Sequence, residues 1–339
     1  MPSRVGKYTI QLQTNPAVLG YAAVVGKKEG EGPYGQAYDQ CHADTTLGEA
    51  SWEKAESRLQ NEAVHIALHK ANLNNTDVNC IFAGDLLNQC ISSTFGLRSL
   101  DIPFLGQFGA CSTMAQTLAV ASLFVESGAA VRAVAVTSSH FCSAERQYRY
   151  PLEYGGQRSP TAQWTATAAG SVILGTRSQY PTASIGLQAV TFGRIVDYGI
   201  KDAANMGAAM APAAASTLID YFNDTGTNPQ DYDLVLTGDL GLVGSSLLDD
   251  LMQREGKDIR SVHNDCGLMI YDREKQDVHA GGSGCGCSAA ILCSTILQQM
   301  DAGKLHKVLF LGTGALMSPT SSQQGESIPS VAHLVYLKS

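Results

Sequence analysis

Residues 78–85 read Val-Asn-Cys-Ile-Phe-Ala-Gly-Asp, and residues 232–239 read Tyr-Asp-Leu-Val-Leu-Thr-Gly-Asp, 154 residues further on. A second echo follows at a separation of 175 residues, where Gly109-Ala110-Cys111-Ser112 lies opposite Gly284-Cys285-Gly286-Cys287. A long period that occurs only twice indicates a duplicated half-domain, because solenoids are built from many short repeats. The repeat therefore predicts two halves with the same order of elements.

The composition is that of an ordinary globular protein. The chain has 339 residues, of which 44% are hydrophobic, and this is enough material for a packed core. A net charge of −8 without any Lys/Arg block argues against nucleic acid as a partner, because phosphate binding requires clustered cations. Nine cysteines in irregular spacing do not resemble a secreted disulfide framework, so we expect a reducing compartment.

Neither a membrane helix nor a signal peptide is expected. No apolar run reaches the roughly 18–20 residues that a membrane helix requires. Residues 17–26 are apolar, but they are short, rich in valine and followed by a charged turn, so they predict a first strand instead.

Helical and strand patterns alternate along both halves. Helical spacing covers residues 49–72, 112–126, 213–222 and 288–300, and strand patterns cover residues 78–84, 131–137, 233–238 and 307–312. The alternation predicts mainly parallel sheet with helices on both faces. We expect a first half at 1–175 and a second at 176–339, packed as one compact unit. A polar insertion at about 140–164 is expected at the sheet edge or over a pocket.

Cys111 is the candidate nucleophile. It follows a predicted strand and turn and begins a predicted helix. Unpaired backbone N–H groups and the helix dipole favour negative charge there, so we expect a lowered thiol pKa and a reactive thiolate. The alternative is a buried, inert cysteine among small residues. Cys285 and Cys287 lack the spacing of a zinc site and are expected to pack at the axis between the halves.

This pattern resembles the thiolase superfamily over nearly the whole chain. The resemblance implies a thiolase-like five-layer αβαβα fold, built from two duplicated halves with mainly parallel mixed sheets. It also implies that the cysteine of the first half opens a buried helix. Thiolase relatives commonly pair through the edge strand beside that helix, so the resemblance implies a homodimer.

A closer resemblance is to the stage V sporulation protein AD family of spore-forming bacteria. The motifs that carry it are Ala83-Gly84-Asp85-Leu86-Leu87-Asn88-Gln89, Phe108-Gly109-Ala110-Cys111-Ser112-Thr113, Thr137-Ser138-Ser139-His140, Ala144-Glu145-Arg146-Gln147, Tyr154-Gly155-Gly156-Gln157, Met210-Ala211-Pro212-Ala213-Ala214-Ala215 and Gly281-Gly282-Ser283-Gly284-Cys285. This family is implied to bind dipicolinic acid (pyridine-2,6-dicarboxylate). It is also implied to assist dipicolinate uptake into the forespore, attached peripherally to the spore inner membrane through integral-membrane SpoVA-type partners.

The sequence departs from the condensing enzymes of the superfamily at two places. These enzymes carry a histidine in the mirrored second-half loop, and an asparagine or second histidine in the following glycine-rich turn. Here the loop reads Thr237-Gly238-Asp239-Leu240 and the turn reads Gly282-Ser283-Gly284. We therefore expect no enzyme but a protein that binds its ligand in the degenerate thiolase-type cleft, lined by Cys111 and Asp85, unless His263 or His333 folds back to Cys111. The Arg/Tyr insertion, or a junction between it and the cleft, is the alternative place for the ligand. The alternatives are a Cys111-dependent acyltransferase acting on an acyl-CoA thioester and a purely structural subunit.

The resemblance to a dipicolinate-binding family directs the choice of ligand residues. A flat dicarboxylate calls for guanidinium groups and aromatic faces, which the insertion offers in Arg and Tyr side chains; the alternative for them is a solvated loop or a subunit contact. The residues expected at the ligand are Asp85, Asn88, Cys111, Ser139, His140, Glu145, Arg146, Arg149, Tyr150, Arg158 and His333. No cofactor and no metal site are expected, although calcium often accompanies dipicolinate.

Overall fold

The computed structural model describes residues 2–148 and 158–339. The strands are β1 (Ser3–Val5), β2 (Thr9–Gln11), β3 (Ala17–Gly26), β4 (Gln40–His42), β5 (Cys80–Gly84), β6 (Phe104–Gly106), β7 (Arg132–Ser139), β8 (Trp164–Thr165), β9 (Ala168–Gly175), β10 (Gly186–Phe192), β11 (Leu234–Thr237), β12 (His263–Asp265), β13 (Gly282–Ser283), β14 (Lys307–Ala315) and β15 (Ser330–Lys338).

The helices follow the strands in regular alternation. They are α1 (Lys27–Gly30), α2 (Trp52–Lys70), α3 (Ile91–Leu97), α4 (Thr113–Glu126), α5 (Phe141–Tyr148), α6 (Met206–Thr225), α7 (Gly241–Arg254), α8 (Cys266–Met269), α9 (Cys285–Ile291), α10 (Leu297–Asp301) and α11 (Pro319–Gln323). A π turn (Leu292–Ile296) joins α9 to α10. Within the described ranges no helix is long and apolar enough to cross a membrane.

The strands form one long mixed sheet whose two ends mirror each other. Its order is β12-β11-β14-β15-β10-β3-β9-β7-β5-β6. Three parallel strands lie at each end, β12-β11-β14 and β7-β5-β6, and antiparallel strands lie between them. The halves join where Gly186 of β10 pairs with Ala17 of β3. The predicted boundary at residue 175 stays a prediction, although the same order of elements recurs on either side of it.

The elements stack in five layers. Helices α2 and α3 cover the outer face of the first-half strands, and α6 covers the outer face of β14 and β15 with α7 beside it. Helix α4 lies in the middle layer, where it contacts β5 and β7 of the first half and β14 and β15 of the second. Both faces of each half are therefore buried, which is why the central strands are almost wholly apolar.

Close approach at the middle layer depends on glycine. A Cβ atom on Gly314 of β14 would lie 2.5 Å from the carbonyl oxygen of Gly109, and one on Gly286 of α9 would lie 2.4 Å from that of Ala168. Neither distance is possible for real atoms, so a side chain at either position would push a helix start off the opposing strand. Gly314 lets the turn before α4 approach β14, and Gly286 lets the start of α9 approach β9.

The boundaries of two predicted elements differ in the structure. The second-half helix expected at 213–222 runs over α6, because Asn205 caps it and Pro212 is accommodated inside it. The polar insertion, which shows no clean period, contains α5. The helix is only eight residues long, so its apolar face spans about two turns and is hard to recognise within a polar insertion.

Candidate functional site

Cys111 lies in a tight turn between β6 and α4. Ala110 before it has a left-handed backbone (φ 51°), and the thiol is 94% buried as a result of the following helix packing into the middle layer. Its Sγ atom lies 3.9 Å from Oγ of Ser283. Ser283 is held in place by the short parallel pair β8–β13, in which it lies opposite Thr165. The two duplicated halves therefore meet at the thiol.

Asp239 occupies the mirrored loop where a condensing enzyme would carry an imidazole. Its carboxylate accepts hydrogen bonds from the backbone N–H of Gly284 (2.7 Å), from Oγ1 of Thr313 (2.9 Å) and from Oγ of Ser283 (3.2 Å). The side chain is fully buried, and this burial raises its pKa to about 6. At neutral pH a negative charge therefore faces the thiol.

The Cys111 thiol is protonated, contrary to the expectation of a stabilised thiolate. Burial is the largest cause of a pKa raised well above its usual value, and the Asp239 carboxylate raises it further. The N-terminal end of α4 is too weak an influence to reverse these two effects, since a helix dipole contributes at most about 2 kcal/mol. The sequence argument failed because Asp239 is 128 residues away in the chain and its proximity is a tertiary fact.

His263 and His333, the two histidines that could have served as a base for Cys111, form hydrogen bonds elsewhere. His263 contacts Asp249 through Nδ1 (2.9 Å) and Thr237 through Nε2 (3.0 Å). His333 lies on β15, where its Nδ1 accepts from the backbone N–H of Gly193 (3.3 Å), and burial lowers its pKa to about 4. Neither contacts the sulfur or lines the cavity beside it.

That cavity, here named the thiol cavity, encloses about 440 Å³, part of it open to solvent. Of the predicted ligand residues, Cys111 and Glu145 line it. Its walls are otherwise mostly apolar or hydroxyl-bearing, formed by Leu86, Ala110, Ala144, Tyr148, Thr165, Met206, Ser283, Ala315 and Met317. Glu145 belongs to its wall, and the buried Asp239 carboxylate lies behind Ser283.

A second space, named the α2–α5 groove, lies on the other side of α5 and has a volume of about 1000 Å³, part of it open to solvent. The predicted residues Asn88 and Arg146 line it. Its remaining lining combines cationic, amide, hydroxyl and apolar groups from Ser51, Glu53, Lys54, Ser57, Leu87, Ile91, Phe95, Ser143 and Gln147. Arg146 forms an ion pair with Glu53.

Helix α5 is the partition between the two spaces. Ala144, Glu145 and Tyr148 face the thiol cavity, whereas Arg146 and Gln147 face the groove. The carbonyl of Leu86 accepts hydrogen bonds from Nε2 of Gln147 and from the hydroxyl of Tyr148, and these bonds tie α5 to the segment after β5. Glu145 and Arg146 are neighbours in sequence but confer opposite charge on different chambers.

Three further predicted residues lie in neither space. The Asp85 carboxylate is buried and accepts from the backbone of Leu87 and Ser93. Oγ of Ser139 donates to the carbonyl of Ala166 (2.6 Å). His140 has Nε2 2.8 Å from the carbonyl of Thr45, while its Nδ1 accepts from the backbone of Cys142. These two bonds define a neutral imidazole, and burial lowers its pKa.

Arg158 is also outside both spaces, and two residues lie outside the described ranges. The Arg158 guanidinium lies over the Trp164 ring, 4.7 Å from its centroid, and donates to the Asp277 carboxylate (3.0 Å). Arg149 and Tyr150 fall in residues 149–157, which the structure does not describe.

Sequence reasoning missed four residues at these spaces. Asp239 and Ser283 were noted only as departures from the enzyme pattern, and Tyr148 only as part of an aromatic cluster. Lys54 gave no signal, since it is one of several charges on an amphipathic helix. The strict mirroring of Gly84-Asp85 by Gly238-Asp239 was the one clue that could have placed Asp239 beside Cys111.

Comparison with known proteins identifies the family. Residues 6–338 match the family model described as stage V sporulation protein AD (SpoVAD). The stage V sporulation protein AD of Bacillus subtilis (strain 168) is 46% identical over 328 residues, covering 97% of this chain and 96% of the relative. The chain belongs to the stage V sporulation protein AD family. The predicted resemblance to SpoVAD is confirmed, and the protein is a sporulation protein.

Solved structures similar to this SpoVAD-family protein confirm the thiolase-like fold. The 3-oxoacyl-[acyl-carrier-protein] synthase III of Aquifex aeolicus VF5 aligns with a TM-score of 0.58 and 12% identity, over 96% of this chain and 100% of the enzyme. Xanthomonas campestris OleA, solved with bound lauric acid and lauroyl-CoA, aligns with a TM-score of 0.61 and 12% identity, over 95% of this chain and 99% of OleA. At this identity the likeness concerns the fold alone.

The protonation of Cys111 can be tested by replacing its acidic neighbour. We expect Asp239→Asn to increase the rate of Cys111 alkylation by iodoacetamide at pH 8 by at least roughly threefold, because removal of a negative charge lowers the thiol pKa. Peptide mapping by mass spectrometry measures each cysteine separately. Cys80 is the internal control, since burial alone raises its pKa and its rate should not change. Rapid alkylation of Cys111 at pH 7 in the unmodified protein would contradict the assignment.

Proposed function

We propose that this sporulation protein is a non-enzymatic receptor for dipicolinate, which it binds in the α2–α5 groove and passes toward the forespore. The observation that carries the proposal is the presence of two cationic side chains, Lys54 and Arg146, in the lining of the groove, beside one acidic residue, Glu53. The described lining of the thiol cavity has no lysine or arginine; it includes Glu145, and the buried Asp239 carboxylate lies behind Ser283. A dianion therefore finds its cationic partners in the groove.

The groove offers what an aromatic dicarboxylate requires. Arg146 can present two parallel N–H groups to one carboxylate, and it forms an ion pair with Glu53. Lys54 lies in the first turn of α2, whose N-terminus adds positive potential. Phe95 supplies an exposed ring, and the Arg98 guanidinium lies 4.8 Å from its centroid. About 520 Å³ of the groove is free for a small molecule, which is in the usual range for small-ligand sites.

The arrangement at Cys111 supports a receptor more than an enzyme. Acyl transfer needs a thiolate, a base to generate it and donors for the developing oxyanion. The Cys111 thiol is instead neutral, and the adjacent Asp239 carboxylate disfavours both the thiolate and an oxyanion. The protein therefore keeps the fold of the condensing enzymes but does not offer the thiolate and the favourable electrostatic environment that acyl transfer needs.

We further propose that the protein works at the forespore inner membrane as a peripheral component, attached through integral-membrane SpoVA-type partners. Calcium that accompanies dipicolinate would be chelated by the ligand's own carboxylates and ring nitrogen. Among residues 2–148 and 158–339, no three His, Cys, Asp or Glu side chains are grouped as metal ligands.

A homodimer through β6 is also part of the proposal. This edge strand exposes Phe104 and Leu105, and Phe108 just after it is 51% exposed. Ile91 and Phe95 extend the same apolar surface to the rim of the groove. Exposed apolar residues on an edge strand mark an interaction site in a folded protein.

Light scattering after size exclusion tests the dimer. The unmodified protein is expected to elute with twice the mass of one chain, and Leu105→Lys with the mass of one, because a buried lysine would be left unpaired at the interface. Leu247→Lys is the control, as Leu247 is equally exposed on α7 (38%, against 39% for Leu105). A monomeric unmodified protein at micromolar concentration would exclude the dimer.

Titration calorimetry tests the receptor. Dipicolinate should bind the unmodified protein, and Arg146→Glu should weaken binding at least roughly tenfold through loss of a charge-assisted pair. Arg260→Glu is the matched control, since Arg260 is a comparably exposed arginine paired with Asp258 in the other half. Cys111→Ala should bind normally. No heat at millimolar ligand would reject the receptor, and loss of binding only in Cys111→Ala would move the ligand to the thiol cavity.

The acyltransferase alternative has its own test. Intact mass measurement after incubation with acyl-CoA is expected to show no stable adduct, because the neutral thiol is a poor nucleophile. An adduct that disappears in Cys111→Ala would establish Cys111 as a working nucleophile and replace the receptor with a transferase.

A further inference from the structure

Two buried carboxyl groups lie directly beneath the α2–α5 groove. Oε2 of Glu56 accepts a hydrogen bond from Oγ of Ser143 (2.7 Å), and Oδ1 of Asp85 accepts from the backbone N–H of Leu87 (2.9 Å). Ser143 and Leu87 both line the groove. The floor of the groove therefore consists partly of groups that hold this acid pair, and a ligand there would be one layer away from both carboxyls.

The acid pair has only neutral partners in the described part of the chain. Oε1 of Glu56 accepts from Oγ of Ser138 (3.0 Å), and Oδ2 of Asp85 accepts from the hydroxyl of Ser93 (2.6 Å). No lysine or arginine forms an ion pair or hydrogen bond with either carboxyl in residues 2–148 and 158–339. Both side chains are fully buried. Two adjacent buried carboxylates without a counter-ion cannot both ionise at moderate cost.

Gln60 links the two acids through neutral groups. Its Nε2 atom lies 3.1 Å from the carbonyl oxygen of Gly84 and from the hydroxyl oxygens of Ser93 and Ser138. Ser93 in turn donates to Asp85, and Ser138 donates to Glu56. The shared network adds no positive charge to balance two ionised carboxylates.

We propose that the α2–α5 groove takes up its dicarboxylate together with a proton on the Glu56–Asp85 pair. This inference rests on the proposed function and states how binding there is regulated. A dianion in the groove repels a second negative charge beneath it, so ligand and proton each favour the binding of the other by the same free energy. Dipicolinate would then be loaded where protons are available and released as the pair ionises.

The raised pKa values of the two carboxyl groups support this coupling. Burial and the charge of Asp85 raise the pKa of Glu56 to about 8, and burial raises the pKa of Asp85. Glu56 thus holds its proton at neutral pH and loses it as the pH rises through about 8. A dianion overhead raises the Glu56 pKa further, so the affinity must fall over the same interval.

The other groups around the pair do not change charge in this interval. The pKa of His140 is lowered by burial, and that of Cys90 is raised to about 11. The pKa values of Cys111, Cys285 and Tyr148 are raised above their ordinary values, mainly by burial. The charged side chains packed nearby belong to α2, α5 and the end of α3, namely Glu53, Lys54, Glu145, Arg146 and Arg98. Among the buried groups with a shifted pKa named here, the Glu56–Asp85 pair is therefore the one that loses a proton near pH 8.

Titration calorimetry of dipicolinate between pH 7 and pH 9.5 tests the inference on the whole chain. We expect binding to weaken about tenfold across this range, which corresponds to a one-unit rise in the Glu56 pKa on binding. At pH 8, parallel titrations in two buffers of different ionisation enthalpy should show uptake of a few tenths of a proton. This second measurement needs no variant and stands even if a core substitution fails to fold.

Substitution of Glu56 tests whether the proton taken up on binding is held by the Glu56–Asp85 pair. Glu56→Gln, which keeps hydrogen-bonding capacity, should abolish proton uptake and make the affinity independent of pH. Glu29→Gln is the matched control, because Glu29 is another fully buried glutamate with a raised pKa but contacts Tyr271 and Thr167 away from the groove. It should leave uptake unchanged. Binding without proton uptake would overturn this inference alone, whereas absence of binding at every pH would overturn the receptor as well.

Discussion

The Asp239 carboxylate is the interaction on which the rest of the site depends. It accepts from the backbone of Gly284 and the hydroxyls of Thr313 and Ser283, and so it joins the mirrored loop, β14 and the start of α9. Burial is the main cause of the raised pKa of the Cys111 thiol, and the Asp239 charge raises that pKa further. One buried acid therefore does two things: it accepts hydrogen bonds from the donors of the second half, and it disfavours the thiolate form of Cys111.

Helix α5 separates the thiol cavity from a second space, the α2–α5 groove. A helix places consecutive residues about 100° apart, so Glu145 and Arg146 necessarily project toward different surroundings. Here those surroundings are separate chambers, and the partition keeps an acidic, apolar cavity apart from a groove with cations. The thiol cavity and the α2–α5 groove, which is the proposed ligand site, therefore lie side by side with α5 as their common wall. The lysine and arginine of these two linings, Lys54 and Arg146, lie on the groove side of that wall.

Sequence patterns predicted the architecture well, because the duplication of the two halves and the alternation of helices and strands can both be recognised from short stretches of sequence. The strands β5, β7, β11 and β14 lie where their apolar runs indicate, and Cys111 lies in the turn that leads directly into the buried helix α4. The predicted ligand set was less coherent. Asn88 and Arg146 meet at the groove, Cys111 and Glu145 meet at the thiol cavity, and His140 and Ser139 are bound into the core. Residue types indicated chemistry, but not which groups share a space.

The sequence by itself determined the two-half α/β organisation, the position of the thiol at a helix start, and the absence of the expected imidazole from the mirrored loop. Only the tertiary structure decided the charge state of that thiol, which side chains of α5 line which of the two spaces, and the burial of Glu56 beside Asp85. The physical reason is that periodicity and helix capping arise between near neighbours in the chain, whereas pKa values and pocket charge depend on desolvation and on carboxylates brought close from distant segments.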